Sequence, residues 1–575
     1  MKKKIKIIIK RKNIIIKTIL WNGFSEDPNV ISLTKFVETN SILIRSELIV
    51  FLNNLSSLKI NQLNIKKYFL LEDDFSYWNL TNFEEKNIYK KNSFFEIAKI
   101  IAISKIFEKY KFDEIILVNQ DQRISNLIEF YSSKKNILFN KKKNAFLFIG
   151  VAYNAVYKLY SLITFFTFLC KKTFFFKKFF IFNTNKNIFL SFFTYYNHSS
   201  LKKNIYISDF WGNLANIYPA NWLQFFFKTD YANTESKVQN LINKLNTKKK
   251  TLFQFLDSFY DLGILKQIFK STLKIIFLSR KLKTIQLVPY KKNFNMWFFL
   301  ENDFKNEFSY HGIANKLFFF YIFKKIFRSN SFKRSCFYIY ENQPWEKSLI
   351  HHWKKNNSSL NKIFGVVSTS VRFWDIRYSL PSLSPNKILA NGESSYSMLR
   401  DFGHKKENLD VVESLRYAKN SLQKNDNKNY NILILGDYSK SSNSNLIKII
   451  NSAKLSNKSI YFLKEHPLRS INCKEINLRI KKTSLSNMFF KIVITTNTTA
   501  AAIDHYLRGS QIITVLDDNN FNLSPLKNKK SVKFVRNGEE LKDYITTYDK
   551  NNKNYDIDNF YLINSDLSRW NKYLI

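Results

Sequence analysis

Residues 431–546 constrain the fold more than any other part of this chain. Five apolar runs follow one another there: NILILG (431–436), SIYFLKE (459–465), KIVITT (491–496), QIITVL (511–516) and VKFV (532–535). Helical patterns lie between or after them, at 444–455, near 475–482, at 498–508 and at 538–546. Strands alternating with helices close as a parallel sheet with helices on both faces, because each parallel pairing needs a crossover. The runs are apolar throughout rather than alternating, as strands buried on both faces are. A sheet of this kind takes its ligands outside the carboxyl ends of its strands.

The rest of the chain repeats the theme less regularly. The polar stretch AKNSLQKNDNKNY (418–430) reads as a linker. Before it, strand-like runs stand at 188–196, 205–210, 336–341, 362–367 and 387–391, with helical patterns at 345–355 and 394–402 and a Phe-rich helical stretch at about 251–330. Near the N-terminus, 13–20 reads as a first buried strand ending at Trp21-Asn22-Gly23. A helix at 95–110, a strand at 114–118 and a helix at 123–133 follow. The expected organisation is an α/β region over 1–185, carrying an apolar-basic segment at 145–182. A Rossmann-like domain over 186–420 and a second over 421–575 complete it.

Composition narrows the function classes. Of the 575 residues, 45% are hydrophobic, so wholesale disorder is excluded. Cys170, Cys336 and Cys473 are far apart and form neither a disulfide framework nor a zinc spacing. The formal charge is +46, but the 91 basic residues comprise 15 Arg and 76 Lys, spread along the chain. Readers of nucleic acid favour Arg for bidentate contacts. The bias toward Lys, Asn, Ile and Phe is what an AT-rich genome imposes, and attraction to an acidic membrane surface is the second source of such charge. The start, MKKKIKIIIKRKNIIIKTIL, has no uninterrupted apolar core and no small-residue cleavage site, so it does not read as a signal peptide. In 145–170, Lys158 splits the apolar stretch into runs too short to span a bilayer. A core helix, an interfacial helix on anionic lipid and a span all stay open for it.

The candidate site residues follow the strands of 431–546. Gly436-Asp437 ends the first, where a glycine lets a phosphate or base approach the backbone closely or simply makes a tight turn. Lys464-Glu465-His466-Pro467 ends the second; Pro467 holds His466 extended at the rim, where an imidazole beside a lysine can bind or protonate a departing phosphate. After the third comes Thr495-Thr496-Asn497-Thr498-Thr499, then three alanines. Thr498 or Thr499 is placed to cap a helix whose free N–H groups form an anion site, with Gly509 ending that helix. The expectation is that the His466 and Thr498 loops sit on adjacent strands, ~5 Å apart, and converge on one phosphate. No G-x-G-x-x-G or P-loop occurs, so dinucleotide and P-loop readings have no support. Asp517-Asp518 reads as a turn that can also reach a ribose, and Asp556-Ile557-Asp558 matches D-x-D only in a polar tail. The neighbours His351 and His352 share no helix face for a metal.

Two Rossmann-like halves with a His-Pro loop and a Ser/Thr-rich helix start resemble bacterial sialyltransferases and capsule polymerases of GT-B type. Three segments resemble a family of bacterial surface-carbohydrate biosynthesis proteins more closely: YENQPWEKSLIHHW (340–353), GVVSTSVRFWDIRY (365–378) and ITTNTTAAAIDHYLRG to LSPL (494–526). The resemblance implies a glycosyltransferase-like protein of capsule or lipopolysaccharide synthesis, or a non-catalytic GT-B scaffold or export partner in the same pathway. It carries nucleotide phosphate binding onto His466, Thr498 and Thr499; Lys464 and Gly436 join them by position. His466 would also assist the leaving phosphate. The base is sought across the cleft, with Glu341 first and Glu346 and Glu393 after it. Arg372 and Arg377, flanking Trp374-Asp375, read either as an anion clamp or as an internal Arg–Asp pair. No cofactor and no metal are expected. The expected partners are a nucleotide-sugar donor, a lipid-linked or growing glycan acceptor and the anionic inner membrane face, but no nucleic acid. The expected location is the cytoplasm.

Overall fold

The computed structural model describes residues 5–90, 92–118, 121–141, 160–167, 182–193, 205–226, 235–247, 251–285, 287–417, 430–456, 460–466, 469–483, 489–547 and 560–574. The fold is α/β, with two Rossmann-like parallel sheets preceded by an N-terminal α/β extension. Three sheets of five, seven and six strands organise these residues.

The N-terminal sheet runs Val30–Ser32, Ile14–Leu20, Lys6–Arg11, Glu114–Val118, Leu138–Lys141. Its second and third strands form an antiparallel hairpin with Lys6 opposite Leu20. Lys12 and Asn13 turn the hairpin, both at positive φ (47° and 64°), as a two-residue hairpin turn demands. Ile14–Leu20 is therefore the second strand and not the first. Lys6–Arg11 escapes a reading that sees only interrupting lysines, yet Ile7 and Ile9 are fully buried while Lys6 and Lys10 point away, the period-2 signature of a strand.

The middle sheet is wholly parallel: Leu252–Phe255, Asn221–Phe225, Ile188–Phe192, Cys336–Ile339, Ile363–Val366, Lys387–Ala390, Leu409–Val411. Residues 205–210 contribute no strand, only an isolated bridge between Ser208 and Gly212. The strand belongs to NWLQF at 221–225, whose polar members disguise it. Asn221 donates to the Asn183 carbonyl at 2.8 Å and Gln224 to the Tyr206 hydroxyl at 3.4 Å, so both are buried with partners. The 251–330 stretch opens with strand Leu252–Phe255 before helices Leu262–Ser279, Trp297–Glu307 and Tyr310–Ser329. The N-terminal and middle units share one hydrophobic core.

The C-terminal sheet is also parallel, in the order Ile480–Lys482, Tyr461–Lys464, Tyr430–Leu435, Phe490–Thr496, Gln511–Val515, Lys533–Val535. The helix expected near 475–482 is instead a 3₁₀ turn, Cys473–Glu475, and an edge strand. The helix expected at 498–508 is shorter, Ala501–Leu507, and Gly509 ends it at φ +87° with Ser510 N–H returning to the His505 carbonyl.

The last helix, Ser568–Leu574, crosses back to the middle sheet. Trp570 is fully buried, 6.2 Å ring to ring from Phe337, and donates to the Glu413 carbonyl at 2.8 Å. The N-terminal unit also meets the C-terminal one: Glu38 accepts from Lys527 at 2.6 Å and from the Asn522 N–H at 2.7 Å. Linker residues 418–429 lie outside the described residues. So does most of 145–182; its described part, 160–167, is helical. Among the described residues no helix is long and apolar enough to cross a membrane.

Candidate functional site

A cavity of about 240 Å³ lies where loops from the two parallel sheets meet. Thr369, Ser370 and Arg372 follow middle-sheet strand Ile363–Val366, with Asp375 and Arg377 just beyond. Tyr438 follows Tyr430–Leu435, and Thr498 follows Phe490–Thr496. Tyr89 enters from the N-terminal unit, and Arg416, Tyr417 and Tyr561 come from the segments that join the two sheets. Carboxyl strand ends of both sheets thus line one space, the position where such sheets take ligands.

The electrostatics of this space favour an anion. Arg372 Nη1 donates to the Thr498 carbonyl at 3.1 Å, tying the two sheets across the cavity. Arg377 grips Asp375 with both arms, at 2.7 and 2.6 Å, and its Nη1 lies 3.6 Å from Glu341. Burial alone would lower the Arg377 pKa, but the facing Asp375 carboxylate outweighs it and holds the guanidinium well above its ordinary value. The internal Arg–Asp reading therefore applies to Arg377, and Arg372 is the arm that crosses the cleft. Arg416 is exposed beside the Tyr417 ring. Among the described residues, three arginines border the cavity, against one carboxylate that is already neutralised.

The strand order corrects the expected cradle. Tyr461–Lys464 and Phe490–Thr496 are not neighbours, because Tyr430–Leu435 lies between them. His466 and Thr498 therefore hang from strand ends about 10 Å apart, two strand spacings, rather than one. Doubly wound sheets place their first strand internally and build outward on both sides, which a linear succession of runs does not reveal.

The threonines are also occupied. The Asp437 carboxylate, 2% exposed, accepts from Thr496 Oγ1 at 2.7 Å, from Thr498 Oγ1, and from Thr499 Oγ1 at 3.3 Å, while its other oxygen takes the Ser439 N–H at 3.0 Å. Ala500 is the N-cap residue and has no side-chain cap, so neither Thr498 nor Thr499 caps Ala501–Leu507, and that helix is only seven residues long. Of this pair, only Thr498 lines the cavity.

Gly436 does not open room for a ligand. A Cβ there would meet Ile471 Cδ1 at 2.9 Å, and Gly436 N–H bonds the Lys464 carbonyl at 2.9 Å. Its bareness lets the 465–471 loop close over the strand end. His466 is half-buried, its ring 6.1 Å from that of Tyr438, and its carbonyl accepts the Arg469 N–H; Pro467 lies outside the described residues. Burial lowers the Lys464 pKa, which Asp504 partly opposes. His466, beside Tyr438, and Lys464 do not line the cavity.

On the middle-sheet side, Glu341 accepts from Gln343 Nε2 at 2.5 Å. Glu346 is fully buried and accepts the N–H groups of Glu341, Asn342 and Gln343, closing a capping box at the start of helix Pro344–Asn356. It caps that helix; burial raises its carboxyl toward about 8. Glu393 lies in the first turn of helix Glu393–Asp401 and borders a different cavity, with Asp401 and Lys527. His351 and His352 pack against Phe75 and Phe320, and the described residues hold no cluster of metal-ligating side chains. Asp517 accepts from Asn520 at 2.8 Å within its own turn; Asp556 and Asp558 lie outside the described residues.

Sequence reasoning missed Asp437 as the hub, and Tyr438, Arg416 and Tyr89 as wall residues. Asp437 and Tyr438 directly follow a strand, a signal that was available. Arg416 precedes the linker and Tyr89 stands in no motif.

No family model and no curated protein matches the sequence. Among solved structures the chain is similar to HepE from Anabaena in complex with UDP and glucose, at 10% identity and TM-score 0.32, over 66% of this chain and 96% of HepE. It is similar to CalG4, the calicheamicin glycosyltransferase, at 6% identity and TM-score 0.33, over 63% and 89%. It is also similar to a glycosyltransferase from Rickettsia africae, at 10% identity and TM-score 0.33, over 68% and 98%. At such identities and scores, the fold of this chain stands on its own strand order.

Proposed function

We propose that the protein is a GT-B-like glycosyltransferase of bacterial surface polysaccharide synthesis, moving a sugar from a nucleotide donor to a lipid-linked or growing glycan. One observation carries this reading: three arginines, two after a middle-sheet strand and one from the segment joining the sheets, gather around a cavity between the two sheets whose acid is already neutralised. That arrangement suits the diphosphate of a sugar nucleotide, with Arg372 and Arg416 as its binders and no metal needed. Thr498, fixed by Asp437, shapes the wall, with Thr499 and Gly436 at the turn behind it. His466, beside Tyr438 at the cavity's border, and Lys464 take the end of the donor that reaches past the cavity, and His466 stabilises the departing phosphate. Glu341 is the candidate base. Its acceptor would be met at the anionic inner face of the membrane.

The test is a thermal-shift series with CMP, CDP, UDP, GDP and TDP in the absence of metal. A nucleotide at 100 times its Kd should stabilise the protein by ~2.7 kcal/mol, and Arg372→Ala should abolish that response. If no nucleotide shifts the melting temperature, the reading falls. A second reading is a non-catalytic GT-B scaffold, favoured by the engagement of Glu341 with Gln343 and of Asp375 with Arg377. Nucleotide binding with no hydrolysis or transfer by any donor would select it.

A further inference from the structure

Helix Leu262–Ser279 is apolar on two opposite faces. One face, with Ile264, Ile268 and Ile275, is buried against the core. The other carries Leu262 (75% exposed), Phe269, Leu273 and Phe277 (67%), which fall within about 80° of one another at 100° per residue. A solvent-facing helix ordinarily shows polar residues there. The neighbouring helical segment 160–167 extends the patch: its Phe165 ring lies 6.2 Å from Phe269, and Ile163 and Phe166 are about half exposed.

Cations lie within and beside this stripe: Lys266 falls inside it, Lys270 and Lys274 run along one edge, and Arg280 and Lys281 stand past the helix end. Lys266, Lys270, Lys274, Arg280 and Lys281 are all exposed, and residues 262–300 contain eight Lys or Arg and no acid. The N-cap acid Asp261 is already bonded by Lys325 at 2.6 Å. An exposed apolar stripe whose only charged neighbours along the helix are cations is complementary to an anionic lipid surface, where the rings enter the acyl boundary and the ammonium groups meet the headgroups. A second copy of this chain would bring the same cations against it, on a molecule of net charge +46.

We propose that the exposed face of helix Leu262–Ser279, with residues 160–167 beside it, docks the protein onto anionic bilayers. The assignment goes beyond the transferase reading and does not depend on it: Arg372→Ala should leave docking unchanged.

Full-length protein is sedimented with vesicles of phosphatidylglycerol and phosphatidylcholine, and with phosphatidylcholine alone. It should partition onto the anionic vesicles and not the neutral ones, and less so at high salt. Lys266→Gln with Lys270→Gln should lower the partition coefficient roughly 25-fold, at about fivefold per cation. Leu262→Ser with Phe277→Ser should lower it by on the order of tenfold or more at an unchanged melting temperature, since both side chains already face solvent. Absence of binding to anionic vesicles would overturn the proposal, as would binding that both double variants retain. Sedimentation velocity on the free protein completes the test. A dimer dispersed by Leu262→Ser with Phe277→Ser would make this face a self-interface and equally overturn it.

Discussion

Replacing Asp437 by Asn separates a structural hub from a ligand-binding residue. The carboxylate is buried and joins the ends of two neighbouring strands by accepting three threonine hydroxyls and one backbone N–H. In Asn, the carbonyl keeps the Ser439 N–H, and an amide donor now faces the threonines. The hydroxyls can turn and accept, so neutral bonds of ~1 kcal/mol replace bonds to a charge of ~1.5–3 kcal/mol. Thr496 and Thr498 make the close contacts, while Thr499 at 3.3 Å contributes little. The expected loss is therefore ~2 kcal/mol. For a unit of about 150 residues this lowers the melting temperature by about 4–8 °C. Calorimetry measures the shift, and nucleotide titration of the same variant measures binding. An Asn variant that melts like the parent but no longer binds nucleotide would refute the hub: Asp437 would then be a ligand group and the threonines free to meet phosphate.

Three further outcomes are expected. Burial lowers the pKa of both His352 and His505 to about 3, so between pH 6.5 and 3 the unfolded chain binds protons that these two imidazoles refuse. Stability should fall as pH drops below 6.5, by up to ~1.4 kcal/mol per pH unit for each, and His352→Phe should flatten that slope in urea denaturation at pH 7.5, 6 and 5. Nucleotide binding should survive EDTA; loss in EDTA with recovery in Mg²⁺ would sink the arginine-only phosphate site. A Cβ on Gly392 would lie 2.4 Å from the Phe560 carbonyl and 2.6 Å from Tyr561 Cα. Gly392→Ala should therefore displace the returning tail and raise protease sensitivity after residue 560, and equal cleavage of both proteins would show that the tail is not seated there.

The C-terminal sheet was the most legible part, because its strands are continuous apolar runs with one crossover between most of them. The strand at 480–482 was lost because IKK lies at an edge, where few apolar residues are required. Strand Asn221–Phe225 was lost because Asn221 and Gln224 are buried through hydrogen bonds rather than through apolarity. Lys6–Arg11 was lost because alternation with lysine resembles interruption. At the site, the loops to examine were readable from strand ends, but what each side chain does depends on which strand lies between which. Placing Tyr430–Leu435 between the other two puts Asp437 among the threonines and His466 beside Tyr438.

The kind of cation around the cleft bears on its use. About five in six basic residues of this chain are lysines, which follows from its overall composition. Among the described residues, all three basic side chains bordering the cavity between the sheets are nonetheless arginines, whereas the neighbouring cavity beside Glu393 is bordered by Lys527 and Lys529. A planar guanidinium differs from an ammonium in presenting a fixed fork of donors, so it can tie two groups at once: Arg377 holds both Asp375 oxygens, and Arg372 reaches across to the Thr498 carbonyl. Arg372 spends one donor on that tie and lies beside the Tyr89 ring, and a guanidinium carries five N–H donors in all. A lysine there would supply the same charge without the fork and would have to release the carbonyl to grip a ligand. Arginine lets one side chain both close the cleft and offer donors to an anion, which fits the proposed donor site between the two sheets.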